Sequence, residues 1–132
     1  MKELAFQTLD EAFRHCAELD ASLSQKLETF SVAARALRPS MQEAVDRLVE
    51  RLAAEGVGGS APQVGDVMPN FVLPNERGEL VGLDRLRRAG PVAVTFNRGH
   101  WCPYCRLAVK SLADAQAKIA AIGGQIVAIM PD

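Results

Sequence analysis

One segment constrains the fold more than any other. The apolar run Pro91-Val92-Ala93-Val94-Thr95-Phe96 leads through a short loop into Trp101-Cys102-Pro103-Tyr104-Cys105. A helical pattern then runs from about Cys102 to Ile122, with Leu107, Leu112, Ala115 and Ile119 available for packing. Gly123-Gly124 ends it, and Gln125-Ile126-Val127-Ala128-Ile129-Met130 forms a second apolar run. Continuous apolar runs of this length read as buried central strands. Two of them separated by a helix predict a parallel βαβ unit with a right-handed crossover. The cysteine pair therefore falls at a strand-to-helix junction.

That junction carries chemistry. Cysteines at i and i+3 can close a small disulfide. The first lies at the helix N-terminus, where unpaired backbone N–H groups and the helix dipole favour an anion. Its thiol pKa is expected below the free value of about 8.5, which makes Cys102 the nucleophile. Pro103 fits the first helical turn because it has no N–H to leave unpaired there. Cys105, one turn along, is expected to be the more buried of the two and to attack the mixed disulfide. Arg98, four residues before Cys102, is a candidate source of positive potential; a solvent-exposed arginine is the plainer alternative. His100 is either a proton carrier or an ordinary histidine of a surface loop.

Two other roles compete for the pair. A structural zinc site needs four ligands, and the remaining candidates are Cys16, His15 and His100. His15-Cys16 lies far away in sequence on a predicted helix. Cys16 there falls on the apolar stripe, where a free cysteine acts as a small hydrophobe. A purely structural disulfide is the other alternative. The strand–Cys-x-x-Cys–helix–strand context favours redox chemistry over both, with no metal or cofactor.

The rest of the chain supplies the frame. Residues 3–37 read as one helix, with Leu9, Phe13, Cys16, Leu23, Leu27 and Phe30 at steps of three and four, interrupted where Asp20 occupies the stripe. Glu11, Arg14, Glu18, Gln25 and Glu28 take the opposite face, and Arg38-Pro39 ends the helix. Ser40-Met41-Gln42-Glu43 reads as a capping box opening a second helix. Met41, Val45, Leu48 and Leu52 form its stripe, and Gly56 its C-terminal stop. The two are expected to form an antiparallel hairpin. Its narrow apolar face must then be buried on the rest of the chain or on another copy. Residues 56–63 are a linker by composition. Asn70–Leu73 and the residues from Leu80 on predict two short strands around the turn Asn75-Glu76-Arg77-Gly78, and Leu83–Arg88 a short helical turn. The expected organisation is a helical extension over 1–55, a linker over 56–63 and an α/β domain over 64–132.

Composition excludes several functions. A net charge of −1 without a Lys/Arg-dense tract removes the electrostatic case for nucleic acid. No apolar run approaches the ~18 residues of a membrane span. Met1-Lys2-Glu3-Leu4 carries an early acidic residue and is not expected to open a secretory signal. One close cysteine pair plus a distant single suggests a reducing, cytoplasmic compartment.

From about Val64 to Asp132 the chain resembles the N-terminal half of an alkyl hydroperoxide reductase/thiol-specific antioxidant (peroxiredoxin-like) domain. Val64-Gly65-Asp66-Val67-Met68-Pro69-Asn70-Phe71-Val72-Leu73-Pro74 is similar to that family's opening segment, and Leu83-Asp84-Arg85-Leu86 to the short helical turn before its central strand. Phe96-Asn97-Arg98-Gly99-His100-Trp101-Cys102-Pro103-Tyr104-Cys105 resembles a subgroup with a Phe-Tyr-Arg-Gly-x-Trp-Cys-Pro-Tyr-Cys core and a helical N-terminal extension. The resemblance implies a partial thioredoxin-like fold, α/β in class: a β-hairpin plus a βαβ unit behind an N-terminal helical hairpin. It also implies that Cys102 attacks a peroxide or disulfide substrate. Cys105 would resolve the product to a disulfide, and a thioredoxin- or glutathione-type reductant would restore the pair. Cys-Pro-Tyr-Cys is similar to glutaredoxins and Trp101 to thioredoxins. Three departures stand out. Thr95 and Gly99 occupy positions where typical members carry proline and threonine or serine, so the hydroxyl that orients the peroxide is absent. Asn97 stands where the subgroup has tyrosine. The chain stops at Asp132, before the strands and helix that complete the fold. An open sheet edge and association of two copies through the N-terminal helices are the expectation. The alternative to an enzyme is a non-catalytic, dimerising redox-sensing or interaction module.

Overall fold

A computed structural model of the chain describes residues 6–131. The reading of Met1–Leu4, the first residues of the predicted helix and the chain end at Asp132 lie outside them. Among the described residues six helices and four strands follow in the order α1 (Leu9–Glu18), α2 (Leu23–Leu37), α3 (Pro39–Ala54), β1 (Val72–Pro74), β2 (Leu80–Gly82), α4 (Leu83–Ala89), β3 (Val92–Phe96), α5 (Pro103–Asp114), α6 (Gln116–Ala121) and β4 (Gln125–Ile129).

The helix expected over residues 3–37 is two helices, and the reason lies in the sequence. Asp20 breaks the apolar stripe, the chain leaves helical geometry at Leu19, and Ser22 starts it again. The Ser22 hydroxyl accepts the Gln25 backbone N–H at 3.3 Å while the Gln25 side-chain Oε1 accepts the Ser22 N–H at 3.0 Å. This reciprocal cap satisfies two orphan donors and outweighs continuing through a buried carboxylate. The Thr8 hydroxyl caps α1, accepting the Glu11 N–H at 3.1 Å. The capping box expected at Ser40–Glu43 does not form. Pro39 takes the first helical position of α3, and Arg38, without a side-chain cap, is the single residue between α2 and α3. At the far end the Gly56 N–H bonds to the Ala53 carbonyl and the Val57 N–H to the Leu52 carbonyl. Gly56, at φ 68°, supplies the left-handed residue this stop requires.

The helical hairpin that buries a face is α1–α2, not the pair expected from the sequence. Ala12, Cys16, Phe30, Ala33, Ala34 and Leu107 form one buried cluster, with Phe6, Leu9, Phe13, Ala17, Leu27 and Tyr104 packed around it. Leu107 and Tyr104 belong to α5, so the N-terminal hairpin covers the helix that begins at the cysteine pair. Helix α3 meets α2 beside the Arg35–Asp46 ion pair (2.7 Å) and buries no residue fully. Its stripe stays in solvent, with Met41 62% and Leu48 42% exposed. Within the chain this stripe is left uncovered, so burial on the rest of the chain, one arm of the expectation, is not met.

Two small sheets complete the molecule. β1 and β2 pair antiparallel from Val72↔Gly82 to Pro74↔Leu80 around a turn that Asn75 organises, its side-chain oxygen accepting the Arg77 and Glu79 N–H groups, both at 2.9 Å. β3 and β4 pair parallel from Val92↔Gln125 to Phe96↔Ile129. Neither strand is the fully buried element expected: each has only the other as a partner among the described residues, and Phe96 is 67% exposed. The helix expected over 102–122 pauses at Ala115, whose N–H is shared between the Ser111 and Leu112 carbonyls at 3.2 and 3.1 Å. This is a one-residue tightening toward i→i−3 bonding. The β-hairpin and βαβ unit behind N-terminal helices constitute a partial thioredoxin-like fold of α/β class.

Candidate active site

The site is built where β3 hands over to α5. Asn97 ties the end of β3 to β4, its N–H donating to the Ile129 carbonyl at 2.8 Å and its side-chain amide to the Thr95 and Ile129 carbonyls at 3.3 and 3.4 Å. It is buried, and these bonds account for its amide donors. Arg98, Gly99, His100 and Trp101 form the loop, and the Cys102 N–H bonds back to the Gly99 carbonyl at 3.1 Å. Gly99 has φ 142°, and a Cβ there would lie 2.5 Å from the Trp101 indole nitrogen. Both facts demand glycine: the loop closes with the indole laid against the bare backbone.

Cys102 is the N-cap of α5 and Pro103 its first residue. The Cys102 sulfur receives the Cys105 N–H at 3.5 Å and the Arg98 Nη2 at 3.2 Å. Arg98 in turn lies 5.4 Å from the centre of the Trp101 ring, which itself is 63% exposed. The guanidinium is thus held between an aromatic face and a sulfur. Its own backbone N–H donates to the Cys105 sulfur at 3.3 Å. Burial pushes the Cys102 thiol up. The Cys105 backbone and side-chain hydrogen bonds and the Arg98 guanidinium push it down further, and the net pKa is lowered. The thiolate in return raises the pKa of Arg98.

The relative burial of the two cysteines reverses the expectation. Cys102 is 0% exposed, whereas Cys105 is half-buried. The cap position explains it. Cys102 turns its side chain back over the first turn, beneath Arg98. Cys105 lines a groove of 430 Å³ with Phe13, His100, Arg106, Val109 and Met130 among its walls. His100 is exposed and sits on this groove, on the side of Cys105. Tyr104, between the cysteines, stacks edge-on against Phe30 of α2 with ring centres 5.1 Å apart, and Phe30 meets Phe13 in the same way at 6.3 Å. The structure thus brings Arg98, Trp101, Cys102, Pro103 and Cys105 together. Phe13, Phe30 and Asn97 also position the site, and nothing local in the sequence marks the two phenylalanines except their place on the apolar stripe. Cys16 is buried in the helical cluster, and no group of three His, Cys, Asp or Glu side chains converges among the described residues.

The cysteine pair at i and i+3 thus lies on the first turn of the helix that joins two parallel strands of a thioredoxin-like scaffold. The AhpC/TSA family model matches residues 64–132, more than half of the chain, and the chain belongs to that family. At family level this makes it a peroxiredoxin-like thiol oxidoreductase. No curated protein and no solved structure matches it. No helix among the described residues is long and apolar enough to cross a membrane.

Proposed function

We propose that the protein reduces peroxides through a Cys102/Cys105 dithiol–disulfide cycle. The observation that carries this reading is the enclosed Cys102 sulfur, with no exposed surface and Arg98 Nη2 at 3.2 Å. A stabilised thiolate in a closed space suits a two-oxygen electrophile better than a bulky disulfide. The Cys102 thiolate attacks one peroxide oxygen and the O–O bond breaks. The sulfur becomes a sulfenic acid and the other oxygen leaves as an alcohol or water after taking a proton. The Cys105 thiolate then attacks the sulfenic sulfur, the S–O bond breaks, and hydroxide leaves as water. Two electrons have passed from the thiols to the peroxide. Arg98 takes the charge-stabilising part that a hydroxyl at position 99 would otherwise share.

Disulfide exchange is the second reading, favoured by the half-buried Cys105 on its groove. Stopped-flow of the reduced protein, followed through Trp101, the lone tryptophan, separates the two. Peroxide is expected to change the fluorescence in a second-order step that Cys102→Ser abolishes. Indifference to peroxide with fast reduction of mixed disulfides would establish exchange instead. Background rates in both assays, unchanged by Cys102→Ser, would leave only a redox-sensing or interaction module.

The same proposal includes the division into an extension (1–55), a linker (56–63) and a redox domain (64–132), supported by the family match beginning at residue 64. It also includes a reducing, cytoplasmic setting and a homodimer through the N-terminal helices, for which the exposed stripe of α3 is the available apolar surface. Sedimentation at micromolar concentration is expected to give a dimer; a clean monomer would remove that element.

A further inference from the structure

We propose that the groove between α1 and α5 binds a small thiol bearing carboxylates and delivers its sulfur to Cys105. This rests on the dithiol–disulfide cycle above and adds where, and by what, the disulfide is reduced. Three observations converge. The groove, at 430 Å³, is within the range that holds a tripeptide-sized molecule, and Cys105 is the cysteine that lines it. Its walls are apolar at Phe13, Val109 and Met130 and basic at Arg106 and Lys110, with no carboxylate among its lining residues. Arg106 is held 4.2 Å above the Phe13 ring, and Lys110 is paired with Asp114 at 2.9 Å, which leaves the Arg106 guanidinium as the chief charge on this wall. A fixed guanidinium on an apolar wall is suited to a carboxylate, which it can bind with paired hydrogen bonds.

The chemistry points to the same sulfur. In thiol–disulfide exchange the sulfur whose thiolate is better stabilised is the better leaving group. Arg98 and the first turn of α5 stabilise Cys102, so an incoming thiolate attacks Cys105. The S–S bond breaks, Cys102 leaves as thiolate, and the thiol is left bound to Cys105 as a mixed disulfide. A second thiol attacks the small-molecule sulfur of that mixed disulfide. Cys105 leaves as thiolate and a symmetrical small-molecule disulfide departs. Two thiols are oxidised, one protein disulfide is reduced, and the protons released equal those the protein thiols regain. Phe13 comes from the N-terminal extension, so that extension forms one wall of the site.

The test uses the full chain oxidised with peroxide, with the Cys102–Cys105 disulfide first verified by mass. Reduced glutathione and its diethyl ester, which masks both carboxylates, are compared by Trp101 fluorescence. Rates are corrected for thiolate fraction. Glutathione is expected to be faster by about fivefold to tenfold, an advantage that shrinks with added salt. Arg106→Glu and, independently, Lys110→Glu are expected to reduce that ratio toward unity, and Arg106→Lys to restore part of it. Alkylation-quenched samples are expected to carry glutathione on Cys105. An adduct on Cys102, equal rates for acid and ester, or reduction by a protein dithiol but not by glutathione would each overturn the groove while leaving the cycle standing. Failure of the disulfide to form would remove the cycle, and this step with it.

Discussion

At the residue scale the decisive contact is Arg98 Nη2 on the Cys102 sulfur at 3.2 Å. Replacing Arg98 with methionine keeps much of the stem over Trp101 but removes the charge. The Cys102 pKa is expected to rise, read as thiolate absorbance at 240 nm, and the peroxide reaction at neutral pH to slow about tenfold, the size expected from losing one charge-assisted hydrogen bond. The lowered Cys102 pKa also sets a pH dependence of stability. The folded state favours the thiolate, so this stabilisation is complete above the unfolded thiol value of about 8.5 and is lost as pH falls through the folded value. Cys16 acts in the opposite sense. Burial raises its pKa, with Lys26 opposing in part, so its contribution holds below the unfolded value and is lost as pH rises through the folded one. Urea titrations are therefore expected to show the stability difference between the reduced protein and Cys102→Ser growing with pH toward about 8.5. A flat difference would contradict the lowered thiol. Gly99→Ala is expected to destabilise by ~1–3 kcal/mol, because the φ of 142° and the indole against the missing Cβ both oppose a side chain.

At the scale of elements, caps decide where helices begin. Ser22-Leu23-Ser24-Gln25 and Ser40-Met41-Gln42-Glu43 both carry the capping-box pattern, yet only the first is used. Pro39 explains the difference: it already occupies the first position of α3, which puts Ser40 inside the helix rather than at its cap. Ser22→Ala is expected to cost about 1 kcal/mol, measured as a lowered urea midpoint, while Ser40→Ala is expected to change stability by less than about half that. An equal loss from both would contradict the assignment. The strands show the other limit of pattern reading. Val92–Phe96 and Gln125–Ile129 were legible as a parallel pair because a helix separates two apolar runs. Their exposure was not, since burial depends on which neighbours lie against a sheet and not on its own residues.

At the scale of the whole molecule, α5, the helix that carries the cysteine pair, is held by the N-terminal helices. Phe30 of α2 is, among the described residues, the largest of the fully buried side chains and contacts Tyr104, which lies between the two cysteines. Phe30→Ala is expected to cost about 3–5 kcal/mol and to lower the peroxide rate with it, whereas a surface change such as Val49→Ala on exposed α3 is expected to leave both nearly unaltered. Unfolding by far-UV circular dichroism alongside the Trp101 signal tests whether the two losses occur together. By itself the sequence determined the βαβ unit, the cysteine pair on the first turn of its helix, and the stop at Gly56. These follow from periodicity, fixed spacing and backbone preference, which act over a few residues. Only the tertiary structure decided that α1–α2 rather than α2–α3 covers α5, that Phe13 reaches the groove, and that Cys102 rather than Cys105 is the enclosed sulfur. The first two outcomes depend on contacts between residues about 75 to 95 positions apart, such as Phe30 with Tyr104 and Phe13 with Arg106, which no local pattern encodes; the third depends on how the cap residue turns its sulfur under the Arg98 side chain.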